Sequence, residues 1–321
     1  MIIQFLYRAV LLGVPLLYGS TGEILTEKSG HLNLGIPGVM CGGAAGGCLG
    51  VSLYMGTLSD PSTASYILVL LFGIVFAFAF AALLGAIYAF LTVTLKCNHN
   101  ITGLALTTFG AGITDVLMYS INKTGFSEAS SLVAKPLPFA ESLGWFGELF
   151  LSYGALVYIA IALAVFAGIF LKKSKTGLRL RAVGENPAAA DAVGIKVSSY
   201  KYGAILVGSG IAGLGGYFYV MDILQGMYES YGPVEAIGWL AIALVIFTLW
   251  RPILSVIGSI LFGALYTVAY FMNISSSVSK AAISFVPYVA TVIVLIVISM
   301  AGSRNVQPPA SLGQTYFREE R

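Results

Sequence analysis

The sequence predicts an all-α protein, a polytopic bundle of about nine membrane-spanning helices (eight to ten) with one short helix in its most basic loop. Composition is the first reason: 58% of the 321 residues are hydrophobic, 10% are charged, and the mean hydropathy is +0.89, more apolar surface than a soluble core needs. Second, uncharged stretches able to cross a hydrocarbon layer of about 30 Å recur along the whole chain, so a secretory signal peptide does not account for them. Third, Lys and Arg collect in alternate connections.

The apolar runs fall at 2–20, 37–57, 64–95, 101–121, 149–171, 202–224, 234–250, 252–273 and 281–301. The third is uncharged from Pro61 to Leu95, about 50 Å as a helix, so it must tilt, bend or project beyond the lipid. The second carries Gly38, Gly42, Gly46 and Gly50 on one face, a small-xxx-small pattern that lets another backbone approach. Gly208, Ala212 and Gly216 repeat the device in the sixth run. Packing within one subunit is the favoured use of these faces, and joining two subunits the alternative.

Orientation follows from the connection between the fifth and sixth runs. It carries Lys172, Lys173, Lys175, Arg179, Arg181, Lys196 and Lys201 against only Glu185 and Asp191, and basic loops are retained in the cytoplasm. Counting from it places 22–33, 96–100, Arg251 and a tail with Arg304, Arg318 and Arg321 inside, and 59–63, 122–148, 225–232 and 274–280 outside. Nine spans put the N-terminus outside. Arg8, close to that end, keeps an even count through a broken or re-entrant segment as the alternative.

Within the basic connection, Asn186 is an N-cap, Pro187 suits the first helical position, Ala188, Ala189 and Ala190 propagate a helix over 187–193, and Gly194 stops it. Two turns are too short to stand alone in water, so the helix docks either on its own spans or on a cytoplasmic partner.

Other chemistries are poorly served. Cys41, Cys48 and Cys97 sit in apolar settings as packing residues, His31 and His99 stand apart from metal-ligand spacings, and the small net charge of +3 argues against nucleic acid. No Ser/His/Asp, di-carboxylate or metal constellation predicts an enzyme. A self-sufficient secondary transporter or channel would place ionisable groups deep in the spans, where the sequence has almost none.

Two segments carry a family resemblance. Residues 176–195, Thr-Gly-Leu-Arg-Leu-Arg-Ala-Val-Gly-Glu-Asn-Pro-Ala-Ala-Ala-Asp-Ala-Val-Gly-Ile, resemble the coupling loop of bacterial ABC-transporter permeases that import simple sugars, branched-chain amino acids and nucleosides. Residues 22–38, Gly-Glu-Ile-Leu-Thr-Glu-Lys-Ser-Gly-His-Leu-Asn-Leu-Gly-Ile-Pro-Gly, resemble the E-x-S-G-x-x-N-L-G-x-x-G stretch near the start of those permeases. The likeness runs from about Leu12 to Ser303 and is nearest to the nucleoside-type permeases that work with basic-membrane-protein lipoproteins.

That resemblance implies one permease domain (1–303, coupling loop 172–200) and a cytoplasmic tail (304–321) in the bacterial cytoplasmic membrane. It implies import by alternating access with a second permease, two ATP-binding domains and an extracytoplasmic substrate-binding lipoprotein. No G-x-x-x-x-G-K-[ST] occurs, so no cofactor is expected in this chain, with ATP and magnesium held by the ATPase partner. Carried over, Gly184, Glu185, Asn186, Pro187, Ala188, Ala189, Ala190, Asp191 and Gly194 form the coupling segment, with Arg179 and Arg181 at its approach. In the segment resembling N-E-V-I-x-G-L-A-L, His99 and Asn100 interrupt the usual pattern, and Thr107 replaces a frequent asparagine. Candidate solute-path residues are Asn33, Thr107, Thr108, Asp115 and Asp222, polar groups in or beside apolar runs. Tyr217, Tyr219 and Tyr228 are rings that could stack on a nucleobase or sit at the membrane interface.

Overall fold

The computed structural model describes residues 2–138, 144–271 and 307–317, with isolated positions between 285 and 300. Among the described residues the regular elements are all helical: α1 (Ile2–Glu27), α2 (Ile36–Met55), α3 (Tyr66–Ala89), α4 (His99–Ser120), α5 (Phe126–Val133), α6 (Gly144–Phe150), α7 (Ala155–Lys173), α8 (Lys175–Glu185), α9 (Pro187–Ala192), α10 (Val197–Phe218), α11 (Gly232–Phe247) and α12 (Pro252–Phe271). Wider π turns prolong α3 through Phe90–Thr94 and α10 through Tyr219–Ile223.

Six helices, α1, α2, α3, α4, α7 and α10, are long and apolar enough to cross a membrane. The expected count of nine is not reached among the described residues. The 16 residues of α11 rise only about 24 Å, α12 counts as a shorter apolar helix over Pro252–Val268, and the run at 281–301 lies almost wholly outside the described residues. The fifth run also begins later than expected, at Ala155, because Leu149 and Phe150 end the separate helix α6.

The centre of the bundle is built from α1, α2 and α10, with α3, α4, α7, α11 and α12 around them. Small residues make that arrangement possible. A Cβ at Gly38 would lie 2.5 Å from the Leu106 carbonyl of α4, and one at Gly42, Gly46 or Gly50 would lie 2.3–2.5 Å from Leu84, Phe80 or Phe72 of α3. The glycine face of α2 is thus occupied inside the subunit. Gly43 meets Gly213 of α10, and Gly22 of α1 meets the Gly208 carbonyl, so α10 is wedged between α1 and α2. The outer α3 has the opposite design: uniformly apolar, with Ile67, Leu71, Val75 and Leu83 exposed, it presents side chains that only lipid or another subunit can cover.

The helices alternate between two ends, and the described connections sort as the charge pattern predicts, whereas 274–280 and the tail arginines Arg304, Arg318 and Arg321 lie outside the described residues. At one end the Ser52 hydroxyl bonds the Asn122 carbonyl, the Ser130 hydroxyl bonds the Met221 carbonyl, and Gly226 packs on Phe126. At the other, residues 307–317 reach the α1–α2 connection at Gly30, the α3–α4 connection at Lys96 and the α7–α10 connection at Gly184, and the α11–α12 turn reaches the end of α1 at Glu27. This second end is the basic one.

Two expectations need correction there. Residues 22–27 are not loop: α1 continues to Glu27, because Gly22 packs on Gly208 and buries this turn against α10, with the Thr26 hydroxyl returning to the Gly22 carbonyl. The short helix expected over 187–193 ends at Ala192 and is preceded by an 11-residue helix, α8, that the sequence did not announce. Gly177 and Gly184 weaken the propensity of α8, and only Gly177, Leu180, Val183 and Gly184 of it are buried.

Candidate coupling site and solute path

The basic end is organised by two caps. The Ser174 hydroxyl accepts from the Gly177 N–H at 2.9 Å and starts α8. Asn186 then closes α8 and opens α9, its Oδ1 accepting from the Ala189 N–H at 2.9 Å while Pro187 occupies the first position without needing a donor. The exit is left-handed at Gly194 (φ +82°), and the N–H groups of Gly194 and Ile195 return to the carbonyls of Asp191 and Ala190. Ala190, buried with Val183 and Val197, seats α9 on α8 and α10. Pro187 and Ala188 are half-buried, whereas Ala189, Ala192 and Val193 stay exposed, Val193 at 76%. Arg179 and Arg181 are exposed on α8, with Arg181 in a polar crevice beside Lys28, Glu185 and Arg251.

Residues 310–317 clamp this segment. The Gly184 carbonyl accepts from both the Ser311 N–H (3.1 Å) and the Ser311 hydroxyl (2.6 Å). The Ala310 N–H reaches Glu185 Oε2 at 3.3 Å, the Tyr316 hydroxyl reaches Asp191 Oδ2 at 3.1 Å, and the Gly313 N–H reaches the Gly30 carbonyl at 3.1 Å. Lys96 lies over the Phe317 ring at 4.4 Å. Backbones meet here closely enough to demand glycine: a Cβ at Gly184 would lie 2.3 Å from the Lys28 carbonyl, and one at Gly30 (φ +88°) 2.6 Å from the Ser311 hydroxyl. The α8–α9 joint therefore rests directly on the α1–α2 connection. Lys28, in that connection, has its pKa lowered by burial and then by the Arg181 charge.

Behind the joint is a buried polar layer. Glu23 and Glu27, one turn apart on α1, are 0% and 2% exposed. Glu23 Oε1 accepts from the Asn33 N–H at 3.0 Å, Asn33 Oδ1 accepts from the Gly35 N–H at 2.9 Å, and Glu27 accepts from the Trp250 indole. Trp250 reaches Glu27 from a turn in which Leu249 and Trp250 both hold positive φ, +56° and +54°, a conformation costly for bulky residues. The Tyr88 hydroxyl bonds the Leu32 carbonyl at 2.6 Å, and the Thr107 hydroxyl the Leu34 carbonyl at 2.9 Å. His31 and His99 do not stand alone: their rings stack at 4.4 Å, buried beside Lys201 under Thr315 and Tyr316. Burial, followed by the Lys201 charge, pushes the His31 pKa well below its usual value. Glu23 and Glu27 carried a signal in the sequence, two carboxylates at i, i+4 ending an apolar run, but the Trp250 partner of Glu27 is 223 residues away.

The structure does not gather the candidate solute-path residues in one place. Asn33 and Thr107 come together at Leu34, near the basic end. Thr108 bonds its own helix, at the Leu104 carbonyl, and is exposed on the bundle surface. Asp115 lies at the far end of α4, half-buried, where its Oδ1 accepts from the Tyr228 hydroxyl at 2.6 Å. Asp222, in the π turn after α10, is 8% exposed, and its Oδ2 has no partner among the described residues. Tyr217 is fully buried with its hydroxyl against Gly73, which removes it from any stacking role. Among the described residues no group of three or more His, Cys, Asp or Glu could hold a metal.

A bundle of helices long and apolar enough to cross a membrane, with a capped helix exposed at its basic end, is the arrangement expected of a transport permease. Residues 5–300 match the family described as branched-chain amino acid transport system / permease component, and the chain belongs to that family. Among its relatives, TsgC13 of Haloferax volcanii, provisionally named a glucose ABC transporter permease protein, is 35% identical over 254 residues, covering 78% of this chain and 72% of that one. The nucleoside ABC transporter permease protein NupC of Lactococcus lactis is 30% identical (88% and 87% covered), and the guanosine ABC transporter permease protein NupQ of Bacillus subtilis 27% (88% and 87%). In fold the chain is similar to an ABC transporter solved in an inward-facing conformation, with a TM-score of 0.50 and 15% identity over 90% of this chain and 85% of that one. The protein is a multi-pass ABC permease subunit and not itself an enzyme. Membership implies ATPase partners, where ATP is hydrolysed, and a second permease.

Proposed function

We propose that this subunit imports nucleosides, taking them from an extracytoplasmic lipoprotein and passing them inward as ATPase motion reaches the spans through α9. The observation that carries the coupling role is the α8–α9 joint. An exposed apolar tip at Ala189, Ala192 and Val193 offers a partner something to grip, and the Gly184 contact with Lys28 and Gly30 leads from that tip to Asn33 and the buried glutamates. In this reading the basic end and residues 307–317 are cytoplasmic, the membrane is the bacterial cytoplasmic one, and ATP and magnesium stay on the ATPase.

NupC and NupQ support nucleosides as cargo; TsgC13 supports the alternative, a simple sugar. Uptake of radiolabelled guanosine, glucose and leucine by vesicles holding the intact assembly tests both. Nucleoside accumulation that unlabelled glucose fails to compete away is the expected result, and glucose accumulation alone overturns it. Deleting residues 186–190 should abolish uptake while the protein stays inserted; uptake that survives would sink the coupling role.

A further inference from the structure

A groove of about 630 Å³, within the size range of small-molecule sites, opens on the bundle surface between α7, α8 and α10, floored by Leu25 of α1 and Phe78 of α3. Its lining is graded. Thr176, Ser199 and Tyr200 lie at the basic end, and Phe78, Leu163 and Ile211 lie deepest in the bundle. From Ser199 to Ile211 the α10 wall rises about 18 Å, close to half of a hydrocarbon core of about 30 Å. The groove is therefore one leaflet deep.

Both walls end in cations at the basic end. Lys173 closes α7 two turns beyond Phe166 on the same face, and Lys196 is the residue before α10, three positions ahead of the lining residue Ser199; both lysines are exposed. Between these walls Gly203 leaves width, since a Cβ there meets nothing within 4 Å.

We infer that this groove is a lipid site that takes one acyl chain of an anionic phospholipid from the leaflet at the basic end, with the phosphate between Lys173 and Lys196. A protein helix would fit an apolar face of any length. A slot one leaflet deep, apolar at the bottom and cationic at the mouth, fits an amphiphile, and basic pockets between spans on the cytoplasmic side take anionic headgroups. Because α7, α8 and α10 all contribute, a bound lipid would brace the base of the α8–α9 joint. The inference uses the side assigned to the basic end and is independent of which solute is carried.

The test is binding, measured on the full assembly in phosphatidylcholine vesicles containing spin-labelled phosphatidylglycerol or spin-labelled phosphatidylcholine. Wild type should hold an immobilised phosphatidylglycerol fraction, preferred over phosphatidylcholine by up to about thirtyfold given two lysines near the surface. Lys173→Gln with Lys196→Gln should erase the preference and leave acyl binding. Gly203→Leu should remove the immobilised fraction for both lipids. Equal binding of the two lipids by wild type, or an unchanged fraction in Gly203→Leu, overturns the assignment. A photo-crosslinking residue in place of the exposed Val207 gives a check that does not alter the groove's lysines or Gly203. A lipid adduct is expected, and a crosslink to a second copy or to residues 281–301 means that protein covers the groove.

Discussion

Two buried carboxylates one turn apart on α1 are the most costly residues of the basic end, since burying unpaired charge is prohibitive and each needs a donor. Glu27 has the Trp250 indole, which the strained Leu249–Trp250 turn brings to it. Trp250→Phe keeps a ring in place and removes the donor. It should lower stability by about 1–3 kcal/mol, read as a drop in the melting temperature of the detergent-solubilised protein. His31 gives a pH prediction. Its folded pKa is well below the usual value, so below about pH 6.5 the unfolded chain takes up a proton that the folded chain, with His99 and Lys201 facing the ring, refuses. Stability should be fully present above about pH 6.5 and decline as pH falls, and His31→Gln should flatten that decline in melts recorded across the range. Neither role was legible in the sequence, because His31 meets a ring 68 residues away and Glu27 an indole 223 residues away; the spacing of Cys, His and carboxylates in one dimension shows only local chemistry.

The short elements were legible where their cause is local. Asn186, Pro187 and Gly194 announce the start and stop of α9 from within ten residues, and each does the job its type predicts. Asn186→Ala removes the cap from Ala189 and should cost about 0.5–2 kcal/mol of local stability, visible as faster hydrogen exchange across 187–195 with insertion unchanged. Gly184→Ala should be harsher. Its Cβ has no room beside the Lys28 carbonyl, so the joint must open, and ATP-driven uptake should fall by an order of magnitude or more while the ATPase still assembles. The helix α8 and the last turn of α1 escaped the sequence because tertiary contacts decide them: Gly22 reads as a breaker until Gly208 is placed against it.

For the whole molecule, composition alone set the class, and the alternation of basic and neutral connections sorted the loops into the two groups that the fold brings together. Which helices occupy the centre was not legible. The apolar content of α3 exceeds that of α2, yet α2 is the buried one, since in lipid the interior goes to small residues and the most hydrophobic helix is free to stay outside. The solute path was legible least, because polar residues spread over α2, α4 and α10 share no sequence signature and the fold leaves them at separate levels. Truncation after Pro309 removes the clamp on Gly184, Glu185, Asp191 and Gly30 at once. Such a chain should insert normally and show a lower ratio of solute moved to ATP hydrolysed, measured in the same vesicles.

The clamp also has an order in time. Residues 310–316 leave the ribosome after every helix described above, so the link from Asp191 through Tyr316 and Gly313 to Gly30 closes only once those helices have been made. A nascent or stalled permease exposes α9 without its clasp, and the finished joint marks a subunit whose synthesis has run past its spans.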